Sequence, residues 1–198
     1  NTFINYKNNL YFDYARSNLR SDFLDFWIIS NTYFCITTGT GIDELCSAYH
    51  VPTVDTNFLP IGHVRSAQNF NITIFKKIKN ISNKKIITLS ESIKNQLFYR
   101  PQILYKKNSK YNWIDNTPKE ILEATKEMEQ TLSKKIKLKK IDLIIQKKFW
   151  NNFNSLKNFS HLYSKSEQRN IVNTHKHKDF FKSYISNFFL KKNPWLLK

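Results

Sequence analysis

Tyr33-Phe34-Cys35-Ile36-Thr37-Thr38-Gly39-Thr40-Gly41-Ile42-Asp43-Glu44 is the stretch on which the fold turns. An apolar run closes on two threonines, Gly-Thr-Gly follows, and an amphipathic segment opens, a pattern that reads as a strand, a tight turn and the start of a helix. The chain holds three glycines in 198 residues, where an average composition of about 7% would supply about 14. Two of the three stand here. Glycine permits positive φ and close approach of a ligand to the backbone. The free N–H groups and positive dipole end of a helix suit a phosphate or carboxylate. The same residues would also make a strand-to-helix bend with nothing bound.

Outward from this turn, Val51-Pro52-Thr53-Val54-Asp55-Thr56 reads as a second strand, with a helix over 41–49 between the two. That separation is the minimum for a βαβ crossover, which places ligands at the carboxyl ends of its strands. Those ends are Thr37 to Gly41 and Asp55 to His63. The second, Asn57-Phe58-Leu59-Pro60-Ile61-Gly62-His63, carries the third glycine and a histidine able to act as a general base or as a hydrogen-bond donor to a phosphate. A solvated loop histidine is the plainer reading of His63, and His50 is a helix-exit residue.

Upstream, Leu10 to Tyr14 has the aromatic content of a short strand, and a helix opens at Ser21-Asp22 with suitable capping residues. Its apolar stripe is Leu19, Phe23, Phe26 and Trp27, with Ser30; Asp22, Asp25 and Ile29 fall on a neighbouring stripe. Arg16, Arg20, Asp22 and Asp25 make either a solvated helix start with a local ion pair or a polar cluster facing the ligand of the Gly-Thr-Gly turn.

Downstream, the pattern weakens from Val64 to Asn83. A short extended piece follows at 84–89, a helix from Ser90 to about Phe98, an exposed lysine-rich loop at 106–110, and a strand over Tyr111–Asp115. Thr117-Pro118-Lys119-Glu120 has Thr at N-cap, Pro at the first helical position and Glu at N3, a capping box opening a helix with the stripe Ile121, Thr125, Met128 and Leu132. After lysines at 134–140, Ile141, Ile144, Ile145, Phe149, Trp150 and Phe153 mark another helix. His161, His175 and His177 lie in a polar tract whose spacing offers no complete metal-ligand set beyond Asp179. A last helix stops before Pro194, leaving an apolar tail that must dock.

The formal charge is +17, carried mostly by lysine, with arginine only at positions 16, 20, 65, 100 and 169. Lysine rises here together with Asn and Ile, as coding bias from an AT-rich genome produces, and nucleic-acid sites lean on clustered arginine. The expectation is therefore no nucleic-acid partner, with peripheral contact to anionic lipid head groups as a weaker one. Cys35 and Cys46 read as small buried residues of a reducing compartment. No apolar run approaches the ~20 residues of a membrane span and no leader is visible. The expected location is the cytoplasm, at the inner face of the membrane if the lipid contact holds. Asn1 in place of methionine suggests a piece of a longer polypeptide.

Tyr14-Ala15-Arg16-Ser17-Asn18-Leu19-Arg20-Ser21-Asp22-Phe23-Leu24-Asp25, then Phe34 to Gly41, Val51-Pro52, Asn57 to Pro60, Asn116 to Ile121 and Phe189 to Leu197, resemble a family of bacterial proteins assigned as glycosyltransferases of surface-carbohydrate biosynthesis. The family is similar to the carboxyl-terminal half of the two-domain GT-B architecture. The resemblance implies an α/β, Rossmann-like nucleotide-sugar-binding domain over 1–133 and a helical extension over 134–198 packed on it. Thr38 to Pro52 is also similar to the diphosphate turn of nucleotide-sugar 2-epimerases. There, two adjacent glycines precede paired glutamates; Thr40-Gly41 and the single carboxylate of Glu44-Leu45 depart from that pattern and count against an epimerase. The order of elements from Asp25 to Thr40 is similar to fucosyltransferase-type donor sites.

The resemblance further implies roles. Thr38, Gly39, Thr40 and Gly41 would bind the donor diphosphate, and Asp43 or Glu44 would accept from ribose or sugar hydroxyls. Arg20, Ser21, Asp22 and Asp25 would line the cleft, with Arg16 or Arg20 neutralising the leaving group. The implied partners are a nucleotide-sugar, a glycan or lipid-linked acceptor, and an amino-terminal domain of the same polypeptide; no cofactor or metal is implied. His63 and Asp22 are the local candidates for a base. The alternatives are a non-catalytic nucleotide-sugar-binding or assembly domain and a basic module for anionic surfaces.

Overall fold

The computed structural model describes residues 10–39, 41, 43–64, 71–100, 103–106, 108–165 and 184–198. The fold is mixed α/β. Strands β1 (Cys35–Thr37), β2 (Thr53–Phe58), β3 (Asn71–Phe75) and β6 (Tyr184–Ile185) form a parallel sheet in the order β1-β2-β3-β6. A separate antiparallel pair joins β4 (Lys77–Asn80) to β5 (Tyr111–Ile114). Around them lie α1 (Asp22–Ser30), α2 (Asp43–Ala48), α3 (Leu89–Lys94), α4 (Pro118–Leu132), α5 (Lys140–Asn154) and α6 (Asn187–Lys192). The parallel sheet and the β1-α2-β2 unit are compatible with a Rossmann-like fold.

One of the two inner strands, β3, falls in the segment where the sequence pattern fades. All five of its residues are buried, as are Thr53 to Thr56 of β2. A parallel strand covered on both faces shows no apolar–polar alternation, and here Thr53, Asp55, Asn71 and Thr73 put buried polar groups into it, which removes even the continuous apolar run. One cross-strand bond, from Thr73 Oγ1 to Asp55 Oδ2 at 3.3 Å, ties that polar row.

The core lies on α4, α5 and the carboxyl-terminal segment. Val54, Ile72, Ile74 and Phe75 from the sheet meet Ala124 and Met128 of α4, Ile145, Phe149 and Phe153 of α5, and Phe189, Trp195 and Leu196 near the end of the chain. Phe75 stacks on Phe149 with ring centroids 5.9 Å apart, and Phe98 meets Phe153 edge-on at 4.9 Å. This cluster crosses the 133/134 division, and β6 adds a strand to the sheet from within 134–198.

The capping box at Thr117 forms as the sequence predicts: Thr117 Oγ1 accepts from the Glu120 N–H at 3.2 Å, and Glu120 accepts from the Thr117 N–H at 2.8 Å. Glu120 also pairs with Lys77 at 2.7 Å and accepts from Asn193 at 3.3 Å, so the cap welds α4 to β4 and to the tail. Burial alone would raise its carboxyl; Lys77 and the cap N–H hold it below its ordinary value. A second capping box, Thr88 with Glu91, starts α3 at Leu89, one residue before the expected Ser90, and α3 ends at Lys94, short of the expected Phe98.

Three expectations are corrected. Leu10 to Tyr14 is not a strand: Tyr14–Arg16 is a 3-10 turn, and Leu10, Tyr11 and Phe12 are exposed. Aromatic content supplied no ladder partner. Of the expected stripe, Leu19 lies before α1 and is exposed, Phe23, Phe26 and Trp27 of α1 face solvent, and Ile29, from the neighbouring stripe, is the buried residue, packed with Cys46 and Val51. In α5, Ile141 and Ile144 are exposed, whereas Ile145, Phe149 and Phe153 are core. Neither Cys35 nor Cys46 is in a disulfide, and the second is fully buried. Among the described residues no helix is long and apolar enough to cross a membrane.

Candidate functional site

The carboxyl ends of β1 and β2 open into a cavity of about 250 Å³ lined by Thr38, Gly39, Glu44, Phe58, Leu59, Pro60 and His63. Both strand ends singled out by the sequence therefore meet in one depression, at the carboxyl ends of the parallel strands, where open α/β sheets bind their ligands.

Local chemistry explains how each side arrives there. Gly39 has φ +80°, the left-handed region in which a side chain is strained, and a Cβ on it would sit 3.8 Å from the Phe58 ring. Its role is the turn. Gly41 is exposed, and a Cβ there would meet nothing within 4 Å, so no packing in the protein demands a glycine. The Gly41 carbonyl accepts from the Glu44 N–H at 3.3 Å as α2 begins. Thr40 lies outside the described residues.

On the other side, the β2–β3 register shifts between Asp55 and Phe58, and Asn57 takes φ 51°. Such an irregularity re-aims the residues beyond it. Asn57 is held by a reciprocal clasp: its N–H donates to Asn116 Oδ1 at 2.6 Å, and the Asn116 N–H donates to Asn57 Oδ1 at 2.6 Å. Asn116 Nδ2 also donates to the Phe75 carbonyl at 2.8 Å. One buried asparagine at the head of α4 thus fixes the segment that lines the cavity. Gly62 follows, where a Cβ would stand 2.6 Å from the rings of Phe98 and Tyr99; this glycine is required by packing. His63 stacks obliquely on Tyr99 at 5.6 Å, and partial desolvation pushes its pKa below the ordinary value, favouring the neutral imidazole.

Asp43 and Glu44 separate in role. Asp43 is fully buried and accepts a short hydrogen bond from Thr37 Oγ1, pinning α2 to β1, while Glu44 is exposed and reaches the cavity. Thr56 Oγ1 adds a bond to the Thr37 carbonyl at 2.9 Å, locking the neighbouring strand end. Burial pushes the Cys35 thiol up, which makes it a poor nucleophile.

Arg16, Arg20, Ser21, Asp22 and Asp25 sit on the first 3-10 turn, the segment after it and α1, and none of them lines this cavity. Ser21 is the N-cap of α1, accepting from the Leu24 N–H at 3.2 Å, and Arg16 lies 3.7 Å from Asp13. Among the described residues, no lysine or arginine lines the cavity, and no cluster of three or more His, Cys, Asp or Glu could hold a metal. His175, His177 and Asp179 lie outside the described residues; His161 is exposed.

Of the seven lining residues, sequence reasoning singled out Thr38, Gly39, Glu44 and His63. Phe58, Leu59 and Pro60 enter through the register shift, whose only signal was their position just past a strand end. The Asn57–Asn116 clasp spans 59 residues and leaves no local signature.

No family model, no curated protein and no solved structure matches the chain.

Proposed function

We propose that the chain is the donor-binding half of a GT-B-like glycosyltransferase that holds a nucleotide-sugar at the ends of β1 and β2. The carrying observation is the convergence of Thr38, Gly39, Glu44 and His63 on one cavity; Gly41, two residues on from Gly39, is outside its lining, and a Cβ on it would meet nothing within 4 Å. The diphosphate docks against the main-chain amides and hydroxyl of the turn at Thr38 to Gly41, where a side chain would block approach. Glu44 accepts from ribose or sugar hydroxyls, and its charge keeps the phosphates on the glycine side of the site. The cavity volume suits part of such a donor, a sugar ring or a diphosphate, with the remainder lying across the open mouth. His63, neutral at working pH, is the local proton acceptor; Asp22 does not share the cavity.

The acceptor side belongs to a second lobe. α1 leaves Phe23, Phe26 and Trp27 in water, and β1 is an edge strand with Ile36 about half exposed at 49%. A parallel sheet is normally covered on both faces, so this end is where further α/β structure would pack. Expressed by itself, the chain binds the donor with little or no turnover.

Calorimetric titration with UDP- and GDP-sugars tests the reading. The expected result is saturable binding, weakly dependent on salt and abolished by Gly41→Val in a protein of unchanged melting temperature. Heat that tracks salt steeply and ignores Gly41 would replace the donor site with a generic basic surface.

A further inference from the structure

The connection into α5 and the first half of that helix read Lys134-Lys135-Ile136-Lys137-Leu138-Lys139-Lys140-Ile141-Asp142-Leu143-Ile144-Ile145-Gln146-Lys147-Lys148. All seven lysines are exposed. The single acid is turned away from them: Asp142 is buried, accepts from the Lys139 N–H at 2.8 Å and pairs with Lys191 at 2.5 Å. The surface charge of this stretch is therefore uniformly positive.

The same surface is greasy. Leu138, Ile141, Leu143 and Ile144 are between 44% and 57% exposed, while Ile145, Gln146 and Phe149 face the core. At 100° per residue, Ile141, Ile144 and Lys148 fall on one outward stripe, with Lys140 and Lys147 beside it. Aliphatic side chains and lysine stems thus interleave on one face.

That mixture discriminates among partners. The core of a protein interface is depleted in lysine. A nucleic-acid site draws on arginine and aromatic stacking, and this stretch has neither on its exposed face. An anionic bilayer takes both features at once: aliphatic side chains enter the head-group boundary while lysines reach the phosphates on flexible stems.

We propose that the outward stripe of α5 bearing Ile141 and Ile144 with Lys140, Lys147 and Lys148, together with the lysine-rich lead-in over 134–139, seats the protein on an anionic phospholipid surface. The contact is peripheral, along the helix rather than across the bilayer, and it is independent of the donor site.

Flotation with phosphatidylcholine vesicles, with and without phosphatidylglycerol, tests it on the full chain. Binding is expected only to the anionic vesicles and to fall about tenfold in Ile141→Asn/Ile144→Asn, whose outward side chains leave the melting curve unchanged. Lys140→Glu/Lys147→Glu should reduce binding to the level on neutral vesicles, whereas Lys106→Glu/Lys110→Glu, which changes the same charge on an exposed loop, should bind as the wild type. Three results would overturn the proposal: no preference for anionic vesicles, full binding by the isoleucine variant, or equal loss in the two lysine pairs. A change of oligomeric state in the isoleucine variant, seen by sedimentation, would assign the face to a second copy instead.

Discussion

The two ends of the parallel sheet are finished in opposite ways. At the β6 end α4 and α6 pack over the described residues. Glu127 of α4 accepts from Ser186 Oγ at 2.7 Å and from the Asn187 N–H at 3.0 Å, which caps α6 and carries Phe189 and Leu190 into the core. At the β1 end Phe23, Phe26 and Trp27 of α1 stand in water, and among the described residues Ile29, Cys46 and Val51, flanked by Cys35 and Leu45, form the small buried cluster between α1 and α2. Helical spacing of large apolar residues is present at both ends, so periodicity alone does not say which face is core. What marks the closed end is a polar tie between elements: buried Glu127 of α4 holds the first turn of α6 through the Ser186 hydroxyl and the Asn187 N–H.

The largest expected effect breaks this comparison directly. Phe149→Ala removes a fully buried ring at the closed end and should cost about 3–5 kcal/mol, whereas Trp27→Ser at the open end should stay within about 0.5 kcal/mol. Urea unfolding of both variants checks this. A large loss from Trp27→Ser would mean that α1 is covered in solution.

Next comes the clasp. Asn116→Ala strands the Asn57 N–H and the buried Phe75 carbonyl and should cost about 2 kcal/mol. It should also weaken donor binding, because the segment lining the cavity loses its tether. Unchanged affinity in a destabilised protein would separate the clasp from the site.

The smallest effect is a pH dependence. Burial raises the Glu127 carboxyl above its ordinary value despite the bonds from Asn187 and Ser186. A raised carboxyl contributes stability that is fully present below the unfolded pKa of about 4.5 and lost as pH rises through the folded value. Relative to Glu127→Gln, the wild type should therefore lose stability between acidic and neutral pH, read from unfolding midpoints on either side. A constant difference would mean that the carboxyl titrates alike folded and unfolded.

Local chemistry was legible in the sequence and long-range chemistry was not. The Thr117 capping box, the Ser21 cap, the Gly-Thr-Gly turn and the strands on either side of α2 all follow from residues within a few positions of one another. β3 escaped because Asn71 and Thr73 are polar yet buried, and α1 was turned the wrong way because Phe23, Phe26 and Trp27 outweigh a single Ile29. At the site, Glu44 and His63 could be named from their strand ends. The division between a buried Asp43 and an exposed Glu44, and the fixing of Phe58 to Pro60 by Asn116, exist only in the folded chain.

Three glycines make the decisive measurement simple, since their amide resonances are few and readily distinguished. Titrating a labelled sample with a UDP- or GDP-sugar should shift the Gly39 and Gly41 amides along a saturating curve, with Gly62, packed under Phe98 and Tyr99, responding less. Saturable donor binding that leaves Gly39 and Gly41 unmoved, or no binding at all, would contradict a diphosphate seat between β1 and α2.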